Sequence, residues 1–178
     1  MDETKKIIVL NTCTDKNEQT KKNIKCEKER RMRVETATWG VCETELSHER
    51  QLNVLINIDS ERNNYVSRIK THIKHKLGSY KQQDITKKKY DISNFVSFNE
   101  TIRLLVECGL KCCYCSNEVY ILYEHVRENK QWTLDRINND IGHNDGNLVI
   151  SCLECNLKRR RTNKDAFMFT KNMVIIKS

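Results

Sequence analysis

Residues 133–161 read Thr-Leu-Asp-Arg-Ile-Asn-Asn-Asp-Ile-Gly-His-Asn-Asp-Gly-Asn-Leu-Val-Ile-Ser-Cys-Leu-Glu-Cys-Asn-Leu-Lys-Arg-Arg-Arg. In order, this is an apolar stretch that ends near Asp135, a turn-rich loop from Asn138 to Asn147 with Gly142 and Gly146, and a strand from Leu148 to Ser151. A helix then runs from Leu153 to about Lys164, opened by Cys152-x-x-Cys155. A second pair, Cys112-x-x-Cys115, lies upstream with 36 residues between the two. Two residues between cysteines let a tight turn aim both sulfurs at one ion, and two such turns complete a tetrahedron. The spacing predicts one structural zinc on Cys112, Cys115, Cys152 and Cys155. Cys113 stands inside the first turn and can replace Cys112, although Cys113-x-Cys115 is the poorer turn for two ligands.

Several of these residues carry a resemblance. Cys112-x-x-Cys115, Leu134-Asp135-Arg136, Gly142-His143, Asn147-Leu148-Val149 and Cys152-x-x-Cys155-Asn156-Leu157-Lys158 together resemble the zinc-bearing, endonuclease VII-like branch of the HNH or ββα-metal endonucleases, over roughly residues 108–164. The resemblance implies a small zinc-stapled ββα-metal domain, taken as 108–178; with the mainly helical basic extension that periodicity and charge suggest at 61–107 and a poorly defined region at 1–60, the expected fold class is α+β. It implies hydrolysis of DNA phosphodiester bonds, branched DNA included. Asp135 and Asn156 would be oxygen ligands of a catalytic Mg²⁺ or Mn²⁺, and Asn147 a brace for the loop. The family places a base histidine directly after the aspartate, where this chain has Arg136. A guanidinium stays protonated and cannot take a proton, but it can clamp a phosphate. The nearest imidazole, His143, is then the candidate base. Relatives work as dimers, so a homodimer is compatible with the family.

Charge points the same way. The chain has 178 residues and a net charge of +8. Residues 1–60 hold 11 Lys plus Arg against 11 Asp plus Glu, and residues 61–178 hold 21 against 13, so all the excess lies with the cysteine module and the segment before it. Such asymmetry favours a polyanion, with DNA the expected partner through nonspecific backbone contacts. The contacts expected are Lys87, Lys88, Lys89, Lys158, Arg159, Arg160 and Arg161. No apolar run is long enough for a membrane span, and the run Ile7–Leu10 is too short for a signal peptide. Nine cysteines, an odd number, fit a reducing compartment. The reading is therefore an intracellular protein, cytoplasmic or nuclear, with Cys13, Cys26, Cys42 and Cys108 as free thiols. The absence of proline and the abundance of Lys, Asn and Ile suggest an AT-rich, viral coding sequence.

The remaining elements follow from local signals. Lys5–Leu10 reads as a short strand and Asp15–Arg33 as a frayed helix or disorder, with Arg30, Arg31 and Arg33 on a solvated face. Trp39 and His48 read as structural. A helix capped by Ser60 and ended by Gly78 would bury Val66, Ile69, Ile73 and Leu77 and present Arg68, Lys70, Lys74 and Lys76, with His72 and His75, to solvent or phosphate. Ser97-Phe98-Asn99-Glu100 opens an apolar helix ending at Gly109. Val119–Tyr123 reads as a strand, Trp132 as core, and the apolar tail from Phe167 to Ile176 as packed back onto the core. Two other functions remain: a zinc-stapled nucleic-acid-binding module that has lost catalysis, and a zinc scaffold for protein partners.

Overall fold

The computed structural model describes residues 7–10, 30–34, 44–171 and 173–177. The expectations for Cys13, Cys26, Cys42, Trp39 and residues 15–29 lie outside the described residues. Within them the order is β1 (Ile7–Leu10), α1 (His48–Ile56), α2 (Asn64–Thr86), α3 (Phe98–Glu107), β2 (Trp132–Arg136), β3 (Leu148–Cys152), α4 (Leu153–Arg159), α5 (Lys164–Lys171) and β4 (Val174–Lys177). The fold is α+β, with two two-stranded sheets. β1 pairs in parallel with β4, Ile7 opposite Val174, and β2 pairs antiparallel with β3, Asp135 opposite Val149. The tail thus includes a strand laid against β1. No helix among the described residues is long and apolar enough to cross a membrane.

Helix α2 is the spine, and its sequence explains its length. Asn63, not Ser60, is the cap: its Oδ1 accepts from the Val66 N–H at 2.8 Å. Gly78 does not end the helix, which continues to Thr86. A mid-helix glycine costs about 1 kcal/mol against alanine, and the buried face more than offsets it. That face is Val66, Ile69, Ile73, Leu77, Tyr80 and Asp84, at helical gaps of three and four. The Ser97 cap is as expected, with Oγ accepting from the Glu100 N–H at 3.1 Å, but the Glu100 carboxylate pairs with Arg103 rather than returning to the cap. At the other end of α3, Gly109 takes φ +59° and the Leu110 N–H reaches the Leu105 carbonyl at 3.0 Å, a Schellman closure.

The β2–β3 ribbon has two open edges, and neighbouring elements close both. From α2, the Tyr80 hydroxyl accepts from the Leu134 N–H at 3.0 Å, and Lys76 Nζ donates to the Trp132 carbonyl. On the other side the Cys113 N–H donates to the Ile150 carbonyl at 2.9 Å. Trp132 is fully buried, as its position in the apolar run suggested. Val119–Tyr123 is not a strand. Tyr120 makes a single parallel bridge with Gln131, and the next two residues are paired by the buried side chain of Gln51 on α1, whose Oε1 accepts from the Ile121 and Leu122 N–H groups at 2.8 and 2.9 Å and whose Nε2 donates to the Leu122 carbonyl at 3.1 Å. Residues 31–33 are also more engaged than a solvated face: Met32 bridges His125, and Arg33 Nη1 meets His72 Nε2 at 2.9 Å.

Gln51→Ala leaves two buried N–H groups unpaired, each costing about 1–3 kcal/mol. The expected loss is about 2–4 kcal/mol, read as a lower urea midpoint with unchanged slope.

Candidate metal centre and basic cleft

The first cysteine turn is closed by its own backbone. The Cys112 N–H donates to the Asn117 carbonyl and the Ser116 N–H to the Cys112 carbonyl, both at 2.9 Å, with Ser116 at φ +57°. The second turn uses a helix start: Cys152 ends β3 and caps α4, its Sγ accepting from the Cys155 N–H at 3.3 Å. These two turns bring the sulfurs of Cys112, Cys115, Cys152 and Cys155 within 4.8 Å of one another. Four cysteines are therefore positioned to hold a metal ion, and Cys112, not Cys113, belongs to the set. Without a cation the cluster resists full ionisation. A hydrogen bond from Cys152 pulls the Cys112 thiol down to about 5, the same bond pushes Cys152 up, and burial pushes Cys155 up to about 12. A cation held among them would favour the thiolate forms. Cys113 is held up at about 12, by burial first and by neighbouring Cys112 and Asp135 next.

Strand β2 and helix α4 next place Asp135 and Asn156 on the wall of one cleft of about 540 Å³. Asp135 is buried and already engaged: Arg159 Nη1 donates to its Oδ1 at 2.7 Å and the Tyr114 hydroxyl to its Oδ2 at 2.7 Å. Arg159 is fully buried and also donates to the carbonyls of Arg136 and Ile137. This corrects its expected role: the side chain is an internal counter-ion and not a phosphate contact. Its neighbours diverge because α4 stops here, earlier than expected, with Arg160 at φ +53°. Asn156 Nδ2 donates to Thr133 Oγ1 at 3.1 Å, leaving its carbonyl oxygen as an acceptor toward the cleft.

His143 lines the same cleft, and its orientation is fixed by a residue that sequence reading passed over. Asp84, fully buried on α2, accepts from the His143 backbone N–H at 2.6 Å, and its two oxygens lie 2.9 and 3.0 Å from Nδ1. A carboxylate at Nδ1 holds the proton there and leaves Nε2 as the basic nitrogen. The Tyr80 ring lies against the imidazole at 4.5 Å between centroids. Burial lowers the His143 pKa, Asp84 partly opposes this, and Arg136 and Lys87 reinforce it.

Close packing makes this contact possible. A Cβ on Gly142 would sit 2.4 Å from the Lys89 carbonyl and 2.8 Å from Asp84 Oδ2, so only glycine lets the loop approach α2. Asn147 braces the loop as expected, donating to the carbonyls of Asn138 and Gly142 and accepting from the Asn138 N–H. The signal for Asp84 was readable: it is the lone acid between Arg68 and Lys89, at helical spacing on the apolar face.

Among the expected basic contacts, Lys87, Lys89, Arg160 and Arg161 line the cleft together with Arg136. Arg136 Nη1 is tethered to the Ile141 carbonyl at 3.0 Å, and Lys89 Nζ to the Asn139 carbonyl at 2.5 Å. Lys88 is exposed outside the lining. Lys158 pairs with Glu154 beside a separate depression.

No protein-family model, curated protein or solved structure matches the chain. The cleft's chemistry therefore rests on its own geometry.

Two measurements check this geometry. Cys112→Ser lowers bound metal well below one ion per chain by elemental analysis, whereas Cys113→Ser leaves it unchanged. Arg159→Ala strands a buried carboxylate and costs about 3–5 kcal/mol in chemical unfolding.

Proposed function

We propose that this chain is a zinc-stapled endonuclease of the HNH or ββα-metal type that hydrolyses DNA phosphodiester bonds in the cleft between α2 and the β2–β3 ribbon. The observation that carries the reading is an imidazole held at Nδ1 by a buried carboxylate, in the lining of a cleft that five cationic side chains share. β2, its loop, β3 and α4 supply the ββα unit, and the four thiols supply the staple. Zinc is the ion we assign to them. A Zn–S bond of about 2.3 Å gives a tetrahedron with edges of about 3.8 Å, and Cys115 and Cys152 stand 3.9 Å apart.

In this reading Lys87, Lys89, Arg136, Arg160 and Arg161 hold the substrate backbone by its phosphates. His143 Nε2 takes a proton from water, the water oxygen bonds to phosphorus, and the bond from phosphorus to the 3′ oxygen breaks. Asp84 keeps the proton on Nδ1 and stabilises the imidazolium that forms. Asp135 and Asn156 fit a hard cation in part. Asn156 offers a free carbonyl oxygen, and each Asp135 oxygen keeps one lone pair beyond its present bond. A Mg²⁺ or Mn²⁺ ion bound there would supply positive charge to the departing oxygen.

The alternative, a binding module without catalysis, is favoured by the commitment of Asp135 to Arg159 and Tyr114 and by Arg136 at the position of the family's base.

The test is nicking of supercoiled plasmid and cleavage of a four-way junction by zinc-loaded protein with Mg²⁺ or Mn²⁺. The expected result is cleavage by the wild type, abolished in Asp135→Ala and His143→Ala. In Asp84→Asn the plateau rate falls tenfold or more. Because the His143 pKa is lowered, the wild-type rate rises with pH through a midpoint below the ordinary 6.5 and is flat above it. Removing Asp84 takes away the contribution that raises this pKa, so the midpoint moves lower still. Salt-sensitive DNA binding without cleavage by any form would establish the binding module instead.

A further inference from the structure

A second concavity, of about 250 Å³, lies along α2 ahead of the cleft. Its floor is Tyr123, met edge-on by the His72 ring at 5.5 Å and approached by Arg33 at 4.6 Å and Lys76 Nζ at 5.9 Å. Thr71, His75 and Ser79 rim it, and Arg68 completes the wall. The eight lining residues include no carboxylate. His72 Nδ1 is buried and has no hydrogen-bond partner, while Nε2 already faces Arg33. Burial first, then Lys76, Arg33 and His75, lower His72 to about 3, and burial with Arg33 lowers Lys76 to about 7. A buried imidazole nitrogen without a partner, in a small space lined by Arg33, Arg68 and Lys76 and by no carboxylate, matches the needs of a phosphate group.

The position relative to the cleft gives this pocket a role. His72, Lys76, Ser79, Gln83 and Lys87 follow one another at gaps of three and four, so they form one stripe along α2. The stripe starts in the pocket and ends in the cleft wall, where Gln83 and Lys87 stand. From His75 to Gln83 the helix rises about 12 Å. That is about three to four nucleotides of axial rise along one strand of a duplex.

We infer that the pocket between α2 and Tyr123 binds a phosphate of the same nucleic-acid strand whose scissile phosphate lies in the cleft. This rests on the nucleic-acid reading above for its partner, though not for its chemistry. The phosphate is either internal to the strand or a 5′-terminal monoester. The pocket holds the strand in register along α2 and so positions the bond to be cut.

The test uses the full zinc-loaded chain in two arms. In the first, inorganic phosphate is titrated while the NMR signals of Thr71, His72, His75 and Ser79 are followed. Saturable shifts in these residues are expected, and their absence overturns the proposal. In the second, anisotropy compares binding of 3′-labelled oligonucleotides, with and without a 5′-phosphate, by the wild type, Ser79→Glu and Lys74→Glu. Ser79 is at the pocket rim, whereas Lys74 is exposed on another face of α2 and serves as a charge-reversal control.

The expected result is tenfold or greater weakening by Ser79→Glu, beyond the effect of Lys74→Glu, with a shallower salt dependence by about one counter-ion. Equal effects of the two variants would overturn it. Wild-type affinity that drops with the 5′-phosphate removed assigns the pocket to a terminal phosphate, and unchanged affinity assigns it to an internal one. Phosphate shifts without any oligonucleotide binding would keep the pocket as an anion site and remove the nuclease reading.

Discussion

Four sulfurs within 4.8 Å of one another impose the constraint on which the rest of the ribbon depends. Two of them belong to a turn after α3, and two join the end of β3 to the start of α4. The second strand therefore cannot leave the first turn without breaking the cluster. Cys152 shows how tightly the roles are shared: it ends a strand, caps a helix and contributes a sulfur. A metal ion held by the four sulfurs would therefore fix the start of α4 as well. Asn156 and Arg159, one and four residues after Cys155, take their positions from it.

Helix α2 does the complementary work from the other side. A two-stranded ribbon leaves backbone groups unpaired on both edges, and an unpaired buried amide is costly. Tyr80 and Lys76 meet one edge and the knuckle backbone meets the other, so the ribbon needs no third strand. The same helix then carries Asp84 to His143. Burial makes that contact strong, because in a low-dielectric interior the imidazole and carboxylate exchange little with water. It also makes the loop's packing demanding, which is why Gly142 abuts the Lys89 carbonyl.

Local chemistry was legible in the sequence and contacts at long separation were not. The cysteine turns, the strand Leu148–Cys152, the Ser97 cap and the Gly109 closure depend on neighbours a few residues apart, and each follows from spacing. Arg159 could not be told from Arg160 or Arg161 within a basic run, because the difference is a change of backbone sign at Arg160 that ends the helix. Asp84 and His143 are 59 residues apart, and only the packing of α2 on the loop joins them. Gly78 was misleading for a related reason: its local cost is small beside the apolar and tyrosine contacts that extend α2 beyond it. Gln51 serves where a strand partner would otherwise be needed, and no pattern in Val119–Tyr123 announces that substitution.

The Asp84–His143 contact ties the cleft to a part of the chain that the cysteine cluster does not organise. The cysteine module holds its own turns, its ribbon and its short helix, yet the imidazole at its cleft takes its tautomer from a helix lying entirely outside that module. A change in α2 can therefore release the imidazole while all four cysteines stay in place. In a set of related chains, the four cysteines and the residue at position 84 would be free to change independently of one another.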